Sequence, residues 1–200
     1  MFYETEKNDH GLPHNPFKAI VAPRPIGWIS SRDTEGRINL APYSFFNCIA
    51  DKPPIVVFSS SGYKDSVSNV DATGEFVCNM ASWDLKDDMN LSSAAVPHET
   101  SEFELTGLEM ADSRLVGVPR VAKAATALEC KHLQTLRLKG LDGKESDNYA
   151  VFGQVVGVYI DDNVIVDGMV DVTRYRPLSR LGYMDYGVVD EVFQMDRPKV

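Results

Sequence analysis

The chain is poor in cysteine, in basic residues and in long apolar runs, and each shortage excludes something. Its three cysteines, Cys48, Cys78 and Cys130, are odd in number and widely separated. That spacing argues against a disulfide framework or a CxxC site and predicts buried free thiols in a reducing, cytoplasmic compartment. No stretch reaches the roughly 18 apolar residues of a transmembrane helix. The richest, Val151–Ile160, is interrupted by Gln154, and the opening residues MFYETEKNDH lack the apolar core of a signal peptide. Lys and Arg number 20 against 29 Asp and Glu, a net charge of −9. This balance excludes the broad basic footprint that nucleic acid or an anionic membrane requires. It leaves room for a local basic pocket holding one small anion.

Motifs are missing too. There is no GxGxxG after a strand, no GxxxxGK[ST], no HExxH and no GxSxG. The histidines His10, His14, His98 and His132 lack metal-ligand spacing, so each is expected on the surface or in a loop. Glu99, Glu102 and Glu104 read as a solvated acidic loop before Leu105.

What remains is ordinary globular composition, 44% hydrophobic and 24% charged over 200 residues, enough for one domain spanning 1–200. Pro13, Pro16, Pro23 and Pro25 favour an extended N-terminal arm. Short strand-like runs follow, bounded by turn residues: Gly27–Ser31, Ile38–Ser44, Ile55–Ser59 and Phe76–Met80. Val67 and Val70 at helical spacing, with Gly74 beyond them, predict a helix over Lys64–Ala72. A second helix is expected from Ser82 to Val96, stopped by Pro97. Longer strands are predicted at Thr126–Leu138 and Tyr149–Ile160, the latter apolar on both faces and bent at Gly153 and Gly157. Asp167–Gly168 marks a hairpin between Val164–Val166 and Met169–Val172. Many short strands with two clear helices describe a mainly β barrel, not alternating βαβ units.

Two segments carry chemistry. Ser59–Asn69 (SSSGYKDSVSN) leads from a strand end into a helix start, where free N–H groups, serine hydroxyls and Lys64 suit a phosphate. Ordinary capped helices are far commoner than anion sites, so taken alone this segment fits either reading. In Arg24–Asn47 (RPIGWISSRDTEGRINLAPYSFFN), Trp28, Phe45 and Phe46 alternate with Ser30, Ser31, Asn39, Tyr43, Ser44 and Asn47. Apolar walls with a few fixed polar groups suit a planar aromatic ligand, and alternation also places some of these rings in a core.

The ordered set RPIGWISS, NLAPYSFFN, KDS-xx-N, TGEFVCN, EFELTGL, VPRV, LECK and RPLSRLGY covers nearly the whole chain and resembles the flavin reductase-like domain family, which includes flavoredoxin and reductase components of flavin monooxygenases. The resemblance implies an FMN-binding split β-barrel, a homodimer with flavin near the subunit interface, and hydride transfer from NAD(P)H. It also implies a partner monooxygenase or another electron acceptor. A non-enzymatic electron carrier of flavoredoxin type would share every motif, whereas the signature of a B6-vitamer oxidase on a similar barrel is missing. Carried over by residue, Trp28, Ile29, Ser30 and Ser31 with Asn39, Ala41, Pro42, Tyr43, Ser44 and Phe46 would line the isoalloxazine and ribityl chain. Ser60, Ser61, Lys64, Asp65 and Ser66 would form the phosphate end, and Arg180, with Gly182 and Tyr183, would approach the flavin from the tail. Tyr183 stands where the family's RLGG-x-Y tail has its second glycine, so the close backbone approach made by that glycine is open at this position.

Overall fold

The computed structural model describes residues 1–198. Seven antiparallel strands form the main sheet: β1 (Gly27–Arg32), β2 (Ile38–Tyr43), β3 (Phe46–Asp51), β4 (Pro54–Ser61), β5 (Glu75–Met80), β6 (Thr126–Lys139) and β7 (Glu145–Ile160), in the order β2-β1-β5-β6-β7-β4-β3. The two edge strands, β2 and β3, are consecutive in sequence with only Ser44 and Phe45 between them. A two-residue link joins the far edges of a seven-stranded sheet only if the sheet curls until those edges meet. The result is a barrel with a seam, as the strand pattern predicts. At the seam, the Ser59 N–H on β4 donates to the Phe45 carbonyl at 2.8 Å.

Strand β4 shows the period of two plainly, with Val56, Phe58 and Ser60 buried in turn. Strand β1 is buried on both faces: Trp28 packs with Leu40, Met89 and Phe103, while Ile29 packs with Phe58, Val67 and Phe76. The long β7 shifts register between Phe152 and Gly153 and again between Val155 and Gly157. These are the expected bends. A Cβ on Gly153 would lie 2.3 Å from the Phe76 ring, so glycine is required for that close approach.

Helix α1 (Asp65–Thr73) buries Ser66, Val67, Asn69 and Val70 against the barrel and ends at Gly74, whose φ of 74° is left-handed. The helix expected over Ser82–Val96 is shorter. A 3-10 turn at Trp83–Leu85 leads into α2 (Lys86–Leu91), which stops at Ser92. The Ser92 hydroxyl donates to the Met89 carbonyl at 2.8 Å and the Ser93 hydroxyl to the Asn90 carbonyl at 2.6 Å, so both compete with further helix. A third helix, α3 (Glu102–Thr106), replaces the expected acidic loop, and Glu102 is buried, not solvated. His10 is also interior, its Nδ1 accepting from the Leu12 N–H at 2.9 Å, and Cys48 is exposed while Cys78 and Cys130 are buried. The Asp167–Gly168 hairpin is present, with both φ angles positive at 51° and 77°.

A small sheet of Arg24–Pro25, Leu178–Arg180 and Tyr186–Val188 brings the tail against the N-terminal arm. Gly182 lies so close to Ala19 that an added Cβ would meet its Cα at 2.7 Å. Tyr183 follows with a φ of 55°, so the backbone keeps a glycine-like, left-handed turn although the residue is not glycine. Among the described residues, no helix is long and apolar enough to cross a membrane.

Candidate functional site

Strand β2 forms the floor of a groove at the barrel seam. One cavity, of about 330 Å³, lies over Asn39, Ala41, Pro42 and Tyr43 and is closed at one end by Lys64, Asp65 and Ser66. Its roof is the Ser92–Val96 loop with Glu102. A second cavity of about 350 Å³ continues past Pro42 and Ser93 to Ser44, Arg180 and the tail. From Asn39 to Ser44 the strand advances roughly 17 Å, a span suited to an elongated ligand with a planar head.

At the first end, α1 opens without a side-chain cap, with Lys64 at the N-cap position. The Val67 and Ser68 amides bond back to the Lys64 carbonyl, which leaves those of Asp65 and Ser66 for a ligand, and the helix dipole favours an anion there. The Ser66 hydroxyl is oriented by Asn39, whose Nδ2 donates to it at 2.9 Å. Asp65 would repel an anion, but His98 Nδ1 lies 3.0 Å from its Oδ1. His98 in turn meets the turn after β1, with Nε2 3.5 Å from Asp33 Oδ2 and 3.1 Å from an Arg37 nitrogen.

The groove walls hold two ionisable groups, the half-buried Tyr43 and the buried Glu102. Burial pushes the Tyr43 phenol above its usual value, opposed in part by the Ser66 and Ser60 hydroxyls. Burial likewise raises the Glu102 carboxyl, although it accepts the Leu40 N–H at 2.8 Å.

Of the residues expected at the site from sequence, Asn39, Ala41, Pro42, Tyr43, Lys64, Asp65 and Ser66 line the first cavity, while Pro42, Ser44 and Arg180 line the second. Others do not reach the groove. Trp28, Ile29, Ser30, Ser31 and Ser60 are wholly inaccessible, and Phe46 nearly so. Instead these residues hold the walls in place. The Trp28 indole N–H donates to Ser92 Oγ at 2.9 Å, and Asn69 Nδ2 donates to Ser31 Oγ at 3.2 Å. The Ser30 hydroxyl donates to the Pro119 carbonyl at 2.7 Å, and that of Ser60 to the Gly62 carbonyl at 2.8 Å. Ser61 is exposed but lines neither cavity.

Sequence reasoning missed the Ser92–Val96 roof, Glu102, Lys18 and Arg24. The run Ser92-Ser93-Ala94-Ala95 was the available signal for the roof, since small side chains let a backbone approach a ligand closely.

A curled antiparallel sheet with an uncapped helix start beside its seam defines a split-barrel protein with an anion-ready groove. The model of the flavin reductase like domain matches residues 21–179, and the chain belongs to that family. An uncharacterized protein of Aquifex aeolicus is 36% identical over 188 residues, covering 91% of this chain and 92% of the relative. Among solved structures, nitrilotriacetate monooxygenase component B from Bacillus cereus superposes with a TM-score of 0.88 at 27% identity, covering 98% of each chain. A split-barrel protein from Shewanella frigidimarina gives a TM-score of 0.85 at 21% identity, covering 99% of this chain and 100% of the other. The fold is thus a flavin-binding split barrel, mainly β.

Proposed function

We propose that the chain, as one domain, binds FMN along the β2 groove and works as a flavin reductase-type oxidoreductase that oxidises NAD(P)H. The observation that carries this reading is the uncapped start of α1 at one end of a groove whose other end carries Arg180. The residues fit the cofactor. Lys64, the Ser66 hydroxyl and the first amides of α1 would hold the phosphate. Asn39, Ala41, Pro42 and Tyr43 would lie along the ribityl chain, and Ser44 and Arg180 near the ring. FMN, when bound, supplies two-electron chemistry by accepting hydride from a nicotinamide.

The protein's own part is to bind, orient and balance charge. His98 Nδ1 occupies an oxygen of the Asp65 carboxylate next to the phosphate position, and Arg180 provides positive potential where negative charge develops on reduction. The half-buried Tyr43 and the buried Glu102 narrow water access. Hydride transfer needs no proton-transfer residue, and none is assigned.

The reading extends to a homodimer, supported by the exposed apolar side chains Leu133, Leu136 and Val158 on the two longest strands. Electrons would leave to free flavin, a partner monooxygenase or another acceptor. The neighbouring free thiols Cys78 and Cys130 suit a cytoplasmic setting.

The test is anaerobic mixing of the FMN-loaded protein with NADH and, separately, NADPH. Loss of the visible flavin absorbance within seconds is expected with at least one of them. A spectrum unchanged by both would overturn the reductase reading in favour of an electron carrier reduced by another protein.

A further inference from the structure

The second cavity gathers Lys18 from the helical turn Phe17–Ile20, Arg24 from the short strand before β1, and Arg180 from the tail strand. Among the described residues, no Asp or Glu lines it, and none of these three cations is paired with a carboxylate. Other cations, such as Arg32 and Arg120, also lack a carboxylate partner, but here three converge on one cavity in a chain with 29 acidic and 20 basic residues. Uncompensated like charges raise the energy of a fold unless a ligand offsets them.

Arg24 is only 7% exposed. Its terminal nitrogens donate to the carbonyls of Lys18, Val21 and Leu181, the last at 2.7 Å, while its buried Nε has no partner. Burial, and then the nearby Arg180, lower its hold on the proton, yet a guanidinium stays charged at neutral pH. Arg180 lies 4.3 Å over the Tyr186 ring and donates to the Tyr183 carbonyl. Tying the tail to the arm accounts for the outer nitrogens of Arg24. It does not account for Lys18, which faces the same space as Arg24 and Arg180 with no carboxylate lining it.

We propose that this basin receives the anionic group, phosphate or carboxylate, of the second redox substrate. The inference rests on the FMN reading. The basin shares Pro42 and Ser93 with the first cavity, and its Ser44 and Arg180 are the residues placed beside the ring, so a molecule held at Lys18 and Arg24 abuts the flavin. The phosphate of FMN is already assigned to the far end, at Lys64. Two sources share the required chemistry: the diphosphate of a nicotinamide dinucleotide, or the carboxylate of a small aromatic acceptor.

Calorimetric titration of inorganic pyrophosphate and of benzoate into FMN-loaded and flavin-free protein tests this, with Lys18→Gln and Lys18→Glu as variants. Lys18 is exposed, so neither change threatens the fold. At least one anion is expected to bind the natural protein. Lys18→Glu should weaken it about tenfold, Lys18→Gln less, and added salt should weaken all three proteins in common. The affinity for FMN should stay within about twofold, since Lys18 lies outside the phosphate end. A KM for NADH or NADPH that rises with Lys18→Glu identifies the dinucleotide as the source. An unchanged KM with lost benzoate binding identifies the acceptor.

Failure of both anions to bind, or binding indifferent to both substitutions, overturns the proposal. A parallel loss of FMN affinity also overturns it, because the basin would then hold the phosphate of FMN itself. Anion binding that depends on Lys18 in a protein unable to take FMN would overturn the flavin reading alone.

Discussion

Lys64 and Glu102 face the same cavity with opposite charge, and they are expected to respond to different measurements. Replacing Lys64 by Ala removes a charge-assisted contact to phosphate of about 1.5–3 kcal/mol, so FMN should bind roughly tenfold to a hundredfold more weakly in a fluorescence titration. Unchanged affinity would place the phosphate elsewhere. Glu102 concerns stability. Burial raises its carboxyl above the ordinary value of 4.5, so the folded state holds the proton more tightly than the unfolded chain does. Its favourable share is complete below the unfolded value and is lost as pH rises through the folded one. Glu102→Gln has no proton to lose and keeps an acceptor for the Leu40 N–H. Its stability relative to the natural protein should therefore improve between pH 4 and pH 7 in urea unfolding. A gap that is the same at both pH values would show that folding does not raise the Glu102 carboxyl.

Between elements, Asn79 on β5 serves as a tie. Its Nδ2 donates to the Trp28 carbonyl at 3.0 Å and to Ser30 Oγ at 3.2 Å, while its Oδ1 accepts the Val121 N–H at 2.8 Å. Asn79→Ala would strand a buried N–H and should cost about 1–3 kcal/mol in urea unfolding. A shift in midpoint corresponding to less than half of that would show that water or a neighbour replaces the amide. Gly153→Ala should cost a similar amount, about 1–3 kcal/mol, because its Cβ would have to displace the Phe76 ring. The elements themselves were legible wherever period and punctuation agreed: α1 ends at Gly74 and β7 bends at its two glycines, as read from sequence. Reading failed where long-range contacts decide. The stop of α2 at Ser92 depends partly on the Trp28 indole bonded to Ser92, 64 residues away. Glu102 looks solvated in an acidic run until Leu40, 62 residues distant, donates to it. In β1, serines and a tryptophan side by side resemble a ligand wall. Both faces are covered, one by α1 and the other by α2 and α3, which no local pattern reveals. Strand β3 was not expected, because after the run Ile38–Ser44 the pattern Phe46–Asp51 shows no period of two: only Phe46 is buried.

At the scale of the molecule, the proposed homodimer would cover the exposed apolar residues of β6 and β7. A sizing column with light scattering should give twice the chain mass of 22.2 kDa, and a monomer at micromolar concentration would remove the homodimer from the proposal. The seam has a mechanical meaning as well. Most sheets that open at an edge release a strand to diffuse away, and reclosure then requires a search. Here the two free edges are joined by Ser44 and Phe45, so Tyr43 and Phe46 can separate by no more than about 10 Å even if every contact between β2 and β3 and their surroundings is lost. The floor of the groove is therefore held on a short tether. Transient opening there, whether to admit a ligand or to exchange amide hydrogens, carries almost no loop-closure entropy on the way back. Rapid breathing at this line need not loosen the barrel behind it.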